Sequence, residues 1–430
     1  MSTAIIVAIV IFLALMFLKV PVFAAVTAGT CIYLVMTPSV NGIVVVQKLI
    51  AGMSSIPLLA IPFFVCAGIL MNMSGITKRI MTFCVAITGR MTGGLAQVNV
   101  LLSTLMGGLS GSNLADAAME AKLLVPEMEA QGYSKEFSSV VTAVSAMITP
   151  LIPPGIGMIV YGSLANASVG RLFIAGISIG LLLMAAMMVL NYFIAKKRGY
   201  VRLREDKITP REFWMAFKQA ALPLCLPLLI IGGIRIGVVT ATEAGAAAVI
   251  FSVVLGIIYK ELNLKKILQA MVETVSTTAS IMLIIGAVSS IAWVFTKEKI
   301  PQTLLSVIVS HIDSKFVFLL LVNLFLIIVG MFVEGNAAAV MLIPMLAPIA
   351  AAYGMDLIQF GMIWVFNMSI GGITPPMGTL MYVTCGVTGC KIKDFLREAV
   401  PYFIMLFICL MLITYVPQIS LWLLDMIWPA

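Results

Sequence analysis

Helix after helix of this sequence is apolar, and in each half of the chain the apolar pattern is broken by the same two polar interruptions. Gly111-Ser112-Asn113 is followed by Ile148-Thr149-Pro150-Leu151-Ile152-Pro153-Pro154-Gly155, and Glu334-Gly335-Asn336 by Ile373-Thr374-Pro375-Pro376-Met377-Gly378. Asn113 to Thr149 spans 36 residues and Asn336 to Thr374 spans 38. With 62% hydrophobic and only 10% charged residues over 430 positions, the surroundings that suit this chain are lipid rather than water. In lipid every backbone group must be satisfied internally, so the expected fold is an all-α polytopic membrane protein. A hydrocarbon core about 30 Å thick takes roughly 20 residues per helical span, which predicts on the order of ten crossings, some shorter pieces and no soluble domain between them. Two copies of a helix-breaking, oxygen-rich pair are what a secondary transporter needs to hold an ion and a solute at mid-membrane.

The first apolar segment, Thr3 to Phe17, lacks a basic leader, and Lys19-Val20-Pro21 is not a small-residue cleavage site, so it reads as a retained transmembrane helix. The formal charge of +8 is concentrated. Lys196, Lys197, Arg198, Arg202, Arg204, Lys207, Arg211 and Lys218 share one polar connection with Glu205, Asp206 and Glu212. The positive-inside rule makes that connection, residues 196–218, cytoplasmic and makes a nucleic-acid partner unnecessary. The seven cysteines are scattered, mostly in apolar stretches, and read as small core residues. His311 is the single histidine, which excludes imidazole-cluster metal chemistry; no metal other than sodium is expected.

The basic connection divides the chain near its midpoint, and Thr209-Pro210-Arg211-Glu212 within it has capping-box spacing with proline at the first helical position. An interfacial helix bearing Phe213, Trp214 and Phe217 is expected to start there. On either side lies one unit repeated, residues 1–215 and 216–430. Placing Lys19 on Arg235 aligns Val22 with Val238, Ala25 with Ala241, Ala28 with Ala244 and Gly29 with Gly245, an offset of 216; the asparagine and threonine landmarks follow at offsets of 223 and 225. If each repeat has an odd number of crossings, the two are inverted relative to each other.

Each repeat is expected to contain a re-entrant hairpin followed by a helix broken near its middle. In the first, Gly93 to Leu109 descends, Ser110 to Asn113 turns, and Leu114 to Val125 returns, ending at Pro126. That 12-residue limb would extend about 18 Å, too short to cross. In the second, Phe316 to Val333 and Ala337 to Tyr353 flank Glu334-Gly335-Asn336. The broken helices are Ser138 to Ile148, interrupted near 149–155, and Phe360 to Ile370, interrupted near 371–378. Prolines at these breaks remove backbone donors and leave upstream carbonyls without helical partners.

Such carbonyls, with hydroxyl and amide oxygens, suit a hard cation. The expected sodium site lies between Ser110, Gly111, Ser112, Asn113 and the Thr149-Pro150 break, without a buried carboxylate. Its symmetry mate lies between Gly335, Asn336 and Thr374-Pro375. Helix kinks and tight packing are the plainer account of the same residues. Half-helix N-termini at Leu114 and Ala337 suit an anionic carboxylate, with Asn113, Pro154, Glu334, Asn336 and Thr374 as candidate solute contacts. Asp116, three residues after Asn113, has the spacing of a capping residue, with proton or ion coupling as the other reading. Glu334 has Gly111 as its counterpart, and both a solute or ion role and a solvated position at a cavity mouth are open to it. Glu243 aligns with Thr27 and is expected to face the bundle interior.

Two other classes fit parts of the pattern. Gly108-Leu109-Ser110-Gly111 resembles the nucleophile stretch of rhomboid-type intramembrane proteases, which would need His311 as partner to Ser110. A passive channel can also use re-entrant hairpins, but two opposed copies favour a closed, alternating site, and the expectation is a transporter rather than an enzyme.

Over nearly its full length the chain resembles the large membrane subunit of tripartite ATP-independent periplasmic (TRAP) transporters, the DctM family. The segments that carry the likeness are Leu58-Leu59-Ala60-Ile61-Pro62-Phe63-Phe64, Leu109-Ser110-Gly111-Ser112 with Ala115-Asp116, Leu124-Val125-Pro126-Glu127-Met128, Ile152-Pro153-Pro154-Gly155 and Gly372-Ile373-Thr374-Pro375-Pro376. The resemblance implies sodium-driven import of an organic acid across the bacterial inner membrane. It also implies delivery by a periplasmic binding protein of DctP type and support from a small four-helix membrane subunit of DctQ type, expected as a separate chain. An elevator mechanism is implied as well, with a transport domain from about 80–190 and 300–415 moving against a scaffold formed by the rest. Asn113 stands where the family pattern has a small apolar residue, so it is expected to add a side-chain ligand or tune the solute.

Overall fold

The computed structural model describes residues 3–18 and 20–428. Lys19, where the alignment of the two halves begins, lies outside them. All regular elements among the described residues are helical. The first half runs α1 (Thr3–Phe17), α2 (Val22–Met36), α3 (Gly42–Met53), α4 (Ala60–Met73), α5 (Ile76–Thr88), α6 (Gly94–Ser110), α7 (Asn113–Ala130), α8 (Lys135–Ser145), α9 (Ile156–Ala165) and α10 (Val169–Arg198). The second runs α11 (Pro210–Arg235), α12 (Ala241–Ile258), α13 (Leu264–Lys297), α14 (Ile300–His311), α15 (Lys315–Phe332), α16 (Gly335–Ala352), α17 (Leu357–Ile373), α18 (Thr379–Thr388), α19 (Ile392–Tyr415) and α20 (Pro417–Ile427). Among the described residues, seven helices are long and apolar enough to cross a membrane, and nine spans result when each of two bent pairs counts as one. The seven include α15 and α16, the limbs of the second hairpin, so length and composition give at most nine spans against the ten or so expected.

Both hairpins form. In the first, Ser103 of α6 donates to Glu120 of α7 at 2.6 Å and Ser110 to Asp116 at 2.6 Å, the antiparallel pairing of two limbs about a turn at residues 111–112. The second closes at its base, where Phe318 stacks on Tyr353 with ring centroids 4.3 Å apart and Lys315 Nζ donates to the Gly354 carbonyl. The first returning limb does not stop at Pro126. It continues to Ala130, so its 18 residues equal the 18 of α16. Proline's missing donor is tolerated because Lys122 and Pro126 lie on the exposed side of the helix, where the freed carbonyl can be solvated, while Leu124, Val125 and Met128 stay buried.

The helix breaks lie slightly later than the sequence suggests. Thr149 and Pro150 sit inside a 3-10 turn, Ala146–Leu151, whose carbonyls at Ile148 and Thr149 accept from Ile152 N–H. The chain then opens at residues 152–155, and α8 with its 3-10 turn meets α9 at a bend of 43°. α17 continues through Gly371-Gly372 to Ile373, and the second break is residues 374–378. Both break loops hold a cis proline, Pro153-Pro154 and Pro375-Pro376. The Thr209–Glu212 capping box is present, but it opens no separate interfacial helix. α11 runs 26 residues through Pro223 and Pro227, since the residues beyond the first turns are apolar enough to span. Glu243 is exposed rather than interior, closing a second capping box with Thr240.

The halves interlock: α7 packs on α18, and α16 on α9, so each returning limb lies against the far half of the other repeat's broken helix. Within a repeat, a glycine of the descending limb meets the broken helix backbone to backbone. A Cβ on Gly371 would lie 2.4 Å from the Gly330 carbonyl carbon, so Gly371 has no room for a side chain, while a Cβ on Gly330 would meet the Gly371 Cα tightly at 3.1 Å.

Candidate ion and solute site

One cavity of about 580 Å3 receives both hairpin tips and both breaks. Ser110, Gly111, Ser112 and Asn113 line it from the first tip, and Glu334, Gly335 and Asn336 from the second. Pro150, Ile156 and Gly157 come from the first broken helix, and Gly372, Met377 and Thr379 from the second. The remaining wall is α4, with Gly68 and Asn72, and the long helix α13, with Ser276, Thr277 and Ser280. The cavity therefore lies between the hairpins and broken helices on one side and α4 and α13 on the other.

The ends of the helices decide its electrostatics. Four helices begin at this cavity: α7, α9, α16 and α18. Four helical segments end there: α6, the 3-10 turn after α8, α15 and α17. Each start presents amide N–H groups and a partial positive charge, and each end presents carbonyls without intrahelical partners. An anion and a cation thus find complementary backbone in the same space.

The four starts are not equivalent. α7 is capped by the neutral Ser112 hydroxyl, which accepts from Ala115 N–H. α9 and α18 have no side-chain cap. α16 is capped by the Glu334 carboxylate, which accepts from the N–H groups of Asn336 at 3.0 Å and Ala337 at 3.2 Å and from the Asn336 amide at 2.8 Å. The second tip therefore does not offer a free N-terminus to a solute carboxylate, because its own carboxylate already occupies the amides.

Asp116 is not a cap, since Ser112 occupies that position and Asp116 falls one residue beyond the capping-box place. It is fully buried, and one of its oxygens, Oδ2, accepts from Ser110 Oγ at 2.6 Å and Thr149 Oγ1 at 2.9 Å. Oδ1 has no hydrogen-bond partner among the described residues. One turn along, Glu120 is equally buried, with Oε2 bonded to Ser103 and Oε1 unpartnered. The expected first ion site, drawn without a buried carboxylate, has two at its back. A buried charge is tolerable only when paired, neutralised or coordinating, so this pair marks the first tip as electrostatically unlike the second.

Of the other residues singled out by sequence, Thr149, Pro154, Thr374 and Pro375 are not among those lining the cavity. Thr149 turns to Asp116, and Thr374 Oγ1 bonds back to the Ile370 carbonyl at 2.7 Å. Pro154 supports the tip: Gly111, at φ 63°, leaves no room for a Cβ because the Pro154 carbonyl would stand 2.5 Å away. Ser110 and His311 are not brought together. Ser110 is committed to Asp116, while His311 ends α14 on the exterior, its Nδ1 within hydrogen-bond range of Ser310 and the Val307 carbonyl.

Sequence reasoning passed over a second set of polar residues. In the first repeat Asn99 of α6 accepts from Ser145 and donates to Thr142. In the second, Asn323 of α15 accepts from Asn367 and donates to Thr414. The bonds to Thr142, Ser145 and Asn367 fasten each hairpin's descending limb to its broken helix, and the bond to Thr414 ties α15 to α19; the signal in the sequence is an asparagine amid apolar residues.

Residues 9–419 match the family described as the tripartite ATP-independent periplasmic transporter, DctM component. The chain is 39% identical over 410 residues to the sialic acid TRAP transporter large permease protein SiaM of Vibrio cholerae, covering 95% of this chain and 96% of that one. It is 38% identical over 419 residues to the sialic acid TRAP transporter permease protein SiaT of Haemophilus influenzae, covering 97% and 68%. The C4-dicarboxylate TRAP transporter large permease protein DctM of Pseudomonas aeruginosa is 37% identical over 365 residues, 85% of each chain. Among solved structures, the YdaH transporter of Alcanivorax borkumensis superposes with a TM-score of 0.64 at 15% identity, covering 89% and 88%, a likeness of fold.

Proposed function

Because the chain belongs to the DctM family and is a TRAP transporter large permease subunit, we propose that it imports an organic acid together with sodium through the cavity shared by the two hairpin tips. The observation that carries this reading is the convergence of four helix N-termini and four carbonyl-bearing ends on one space, since it meets the needs of an anion and a hard cation at once. Relatives are named for sialic acid, C4-dicarboxylate, 2,3-diketo-L-gulonate and isethionate, all organic anions. In this reading the solute's carboxylate goes to the N-termini of α7, α9 and α18, and its hydroxyl groups or the cation go to the Glu334 side; the support for it is that Glu334 already accepts from the first amides of α16.

The wall between α4 and α13 and the hairpins is the surface along which an elevator would slide, which supports a transport domain of hairpins and broken helices carried against a scaffold. A separate small membrane subunit, a periplasmic binding protein and the bacterial inner membrane complete the assembly, with the basic connection on the cytoplasmic side. Family membership sets aside the protease and channel readings. The test is uptake by proteoliposomes holding both membrane subunits and supplied with the cognate binding protein. Ser112→Ala, Asn113→Ala and Asn336→Ala should raise the sodium concentration for half-maximal uptake, and wild-type sodium dependence in all three would overturn the assignment.

A further inference from the structure

A second cavity, about 980 Å3 and open to the exterior, lies between α5 and α7. It meets the first cavity at Asn72 and Ala115, which line both. Beyond that junction its wall turns cationic: Thr77, Lys78 and Thr82 face it from α5, and Lys122 and Glu127 from α7. Lys78 and Lys122 are exposed, and no carboxylate among the described residues forms an ion pair with either. The Asn72 side chain lines both cavities, and its buried Oδ1 has no hydrogen-bond partner among the described residues, so the junction carries an amide with unmet hydrogen-bonding capacity.

The groove also has a side. α5 packs on α11, Phe83 lying 6.0 Å from Phe213 and 5.8 Å from Phe217. Arg204 N–H in the basic connection donates to the Gly89 carbonyl just past α5. The groove therefore flanks the same end of the molecule as residues 196–218.

We propose that the α5–α7 groove is the route by which the organic acid leaves the cavity, with Asn72 at its throat and Lys78 and Lys122 as a rim selective for anions. Two unpaired lysines against one glutamate leave a positive wall, and a confined charged wall raises the local concentration of the opposite ion. The proposal rests on the cavity holding the solute, and its test separates the two.

A cysteine at Asn113 reports arrival in the first cavity. Membrane-impermeant methanethiosulfonates, one bearing a sulfonate and one a trimethylammonium group, are applied to the face of the basic connection, with rates taken against the chain lacking the added cysteine. After correction for intrinsic reactivity, the sulfonate reagent should label Asn113→Cys about fivefold or more faster than the cationic one, in the range of steering by a charged wall. The Lys78→Gln/Lys122→Gln pair should equalise the two rates, Lys78→Arg/Lys122→Arg should preserve the difference, and Ala118→Trp, which fills the groove, should slow both reagents. Equal rates in the parent, no labelling from that face, or labelling untouched by Ala118→Trp would each overturn the route. If labelling follows the route but modified Asn113→Cys transports normally, the groove stands as an anion-selective access path, while the assignment of solute to the first cavity falls and its use as the solute's exit falls with it.

Discussion

Thr149 Oγ1 donates to Asp116 Oδ2 at 2.9 Å, so a fully buried carboxylate on the first returning limb is bonded to the broken helix 33 residues away. Tip and break are thereby held in one register, with the Thr149 hydroxyl committed to the carboxylate.

Removing that hydroxyl should be felt at the ion. Thr149→Val leaves Asp116 with Ser110 as its remaining side-chain donor, and an unmet hydrogen bond to a buried group costs about 1–3 kcal/mol. At roughly 1.4 kcal/mol per tenfold, the sodium concentration for half-maximal uptake should rise about tenfold, while Thr149→Ser stays near wild type. Sodium titration of uptake measures both, and an unshifted Thr149→Val would detach this bond from coupling.

Glu334→Ala should do two things. Loss of the cap costs about 0.5–2 kcal/mol, seen as a lower melting temperature of the purified complex. The amides of Asn336 and Ala337 become free, so small anions such as sulfate should inhibit uptake more strongly than in wild type. Unchanged inhibition would mean that this N-terminus does not face the solute.

Gly371→Ala places a methyl carbon 2.4 Å from backbone at Gly330, where no rotamer can relieve the clash, and should abolish recovery of folded protein. Gly386, in α18, meets nothing within 4 Å. Gly386→Ala should be neutral or stabilise by up to about 1 kcal/mol. Size-exclusion yield and thermal melting distinguish the two, and a well-folded Gly371→Ala would mean that α15 and α17 separate readily.

The buried asparagines should show non-additive energetics. Asn323→Leu leaves the Asn367 amide with one of its two acceptors, the Ile363 carbonyl, whereas replacing both asparagines removes the group left short. The single variants should each lose about 1–3 kcal/mol, and the double variant less than their sum. Melting of the four proteins in the cycle reads the coupling, and strict additivity would refute the pairing.

The hairpins and breaks were legible because glycine, proline and asparagine clusters inside apolar sequence have few other uses in a membrane. The exact edges were not. Pro126 looks like a stop, yet burial of Leu124, Val125 and Met128 carries α7 past it. Pro150 looks like a break, yet a 3-10 turn absorbs it. The role of Asp116 was hidden because capping spacing and cross-hairpin bonding look alike until Ser112 is seen in the cap position. The contribution of α13 to the cavity was invisible, since Ser276, Thr277 and Ser280 belong to a helix with no break and no repeat signal.

The exchange of packing between the halves, α7 on α18 and α16 on α9, makes each half incomplete without the other. Either half alone would leave bare the side of its returning limb that packs on the other half, and would supply only part of the cavity wall. Because α7 rests on α18 and α16 on α9, displacing one tip would load the helix that supports the other, so whatever occupies the cavity is held by both halves at once.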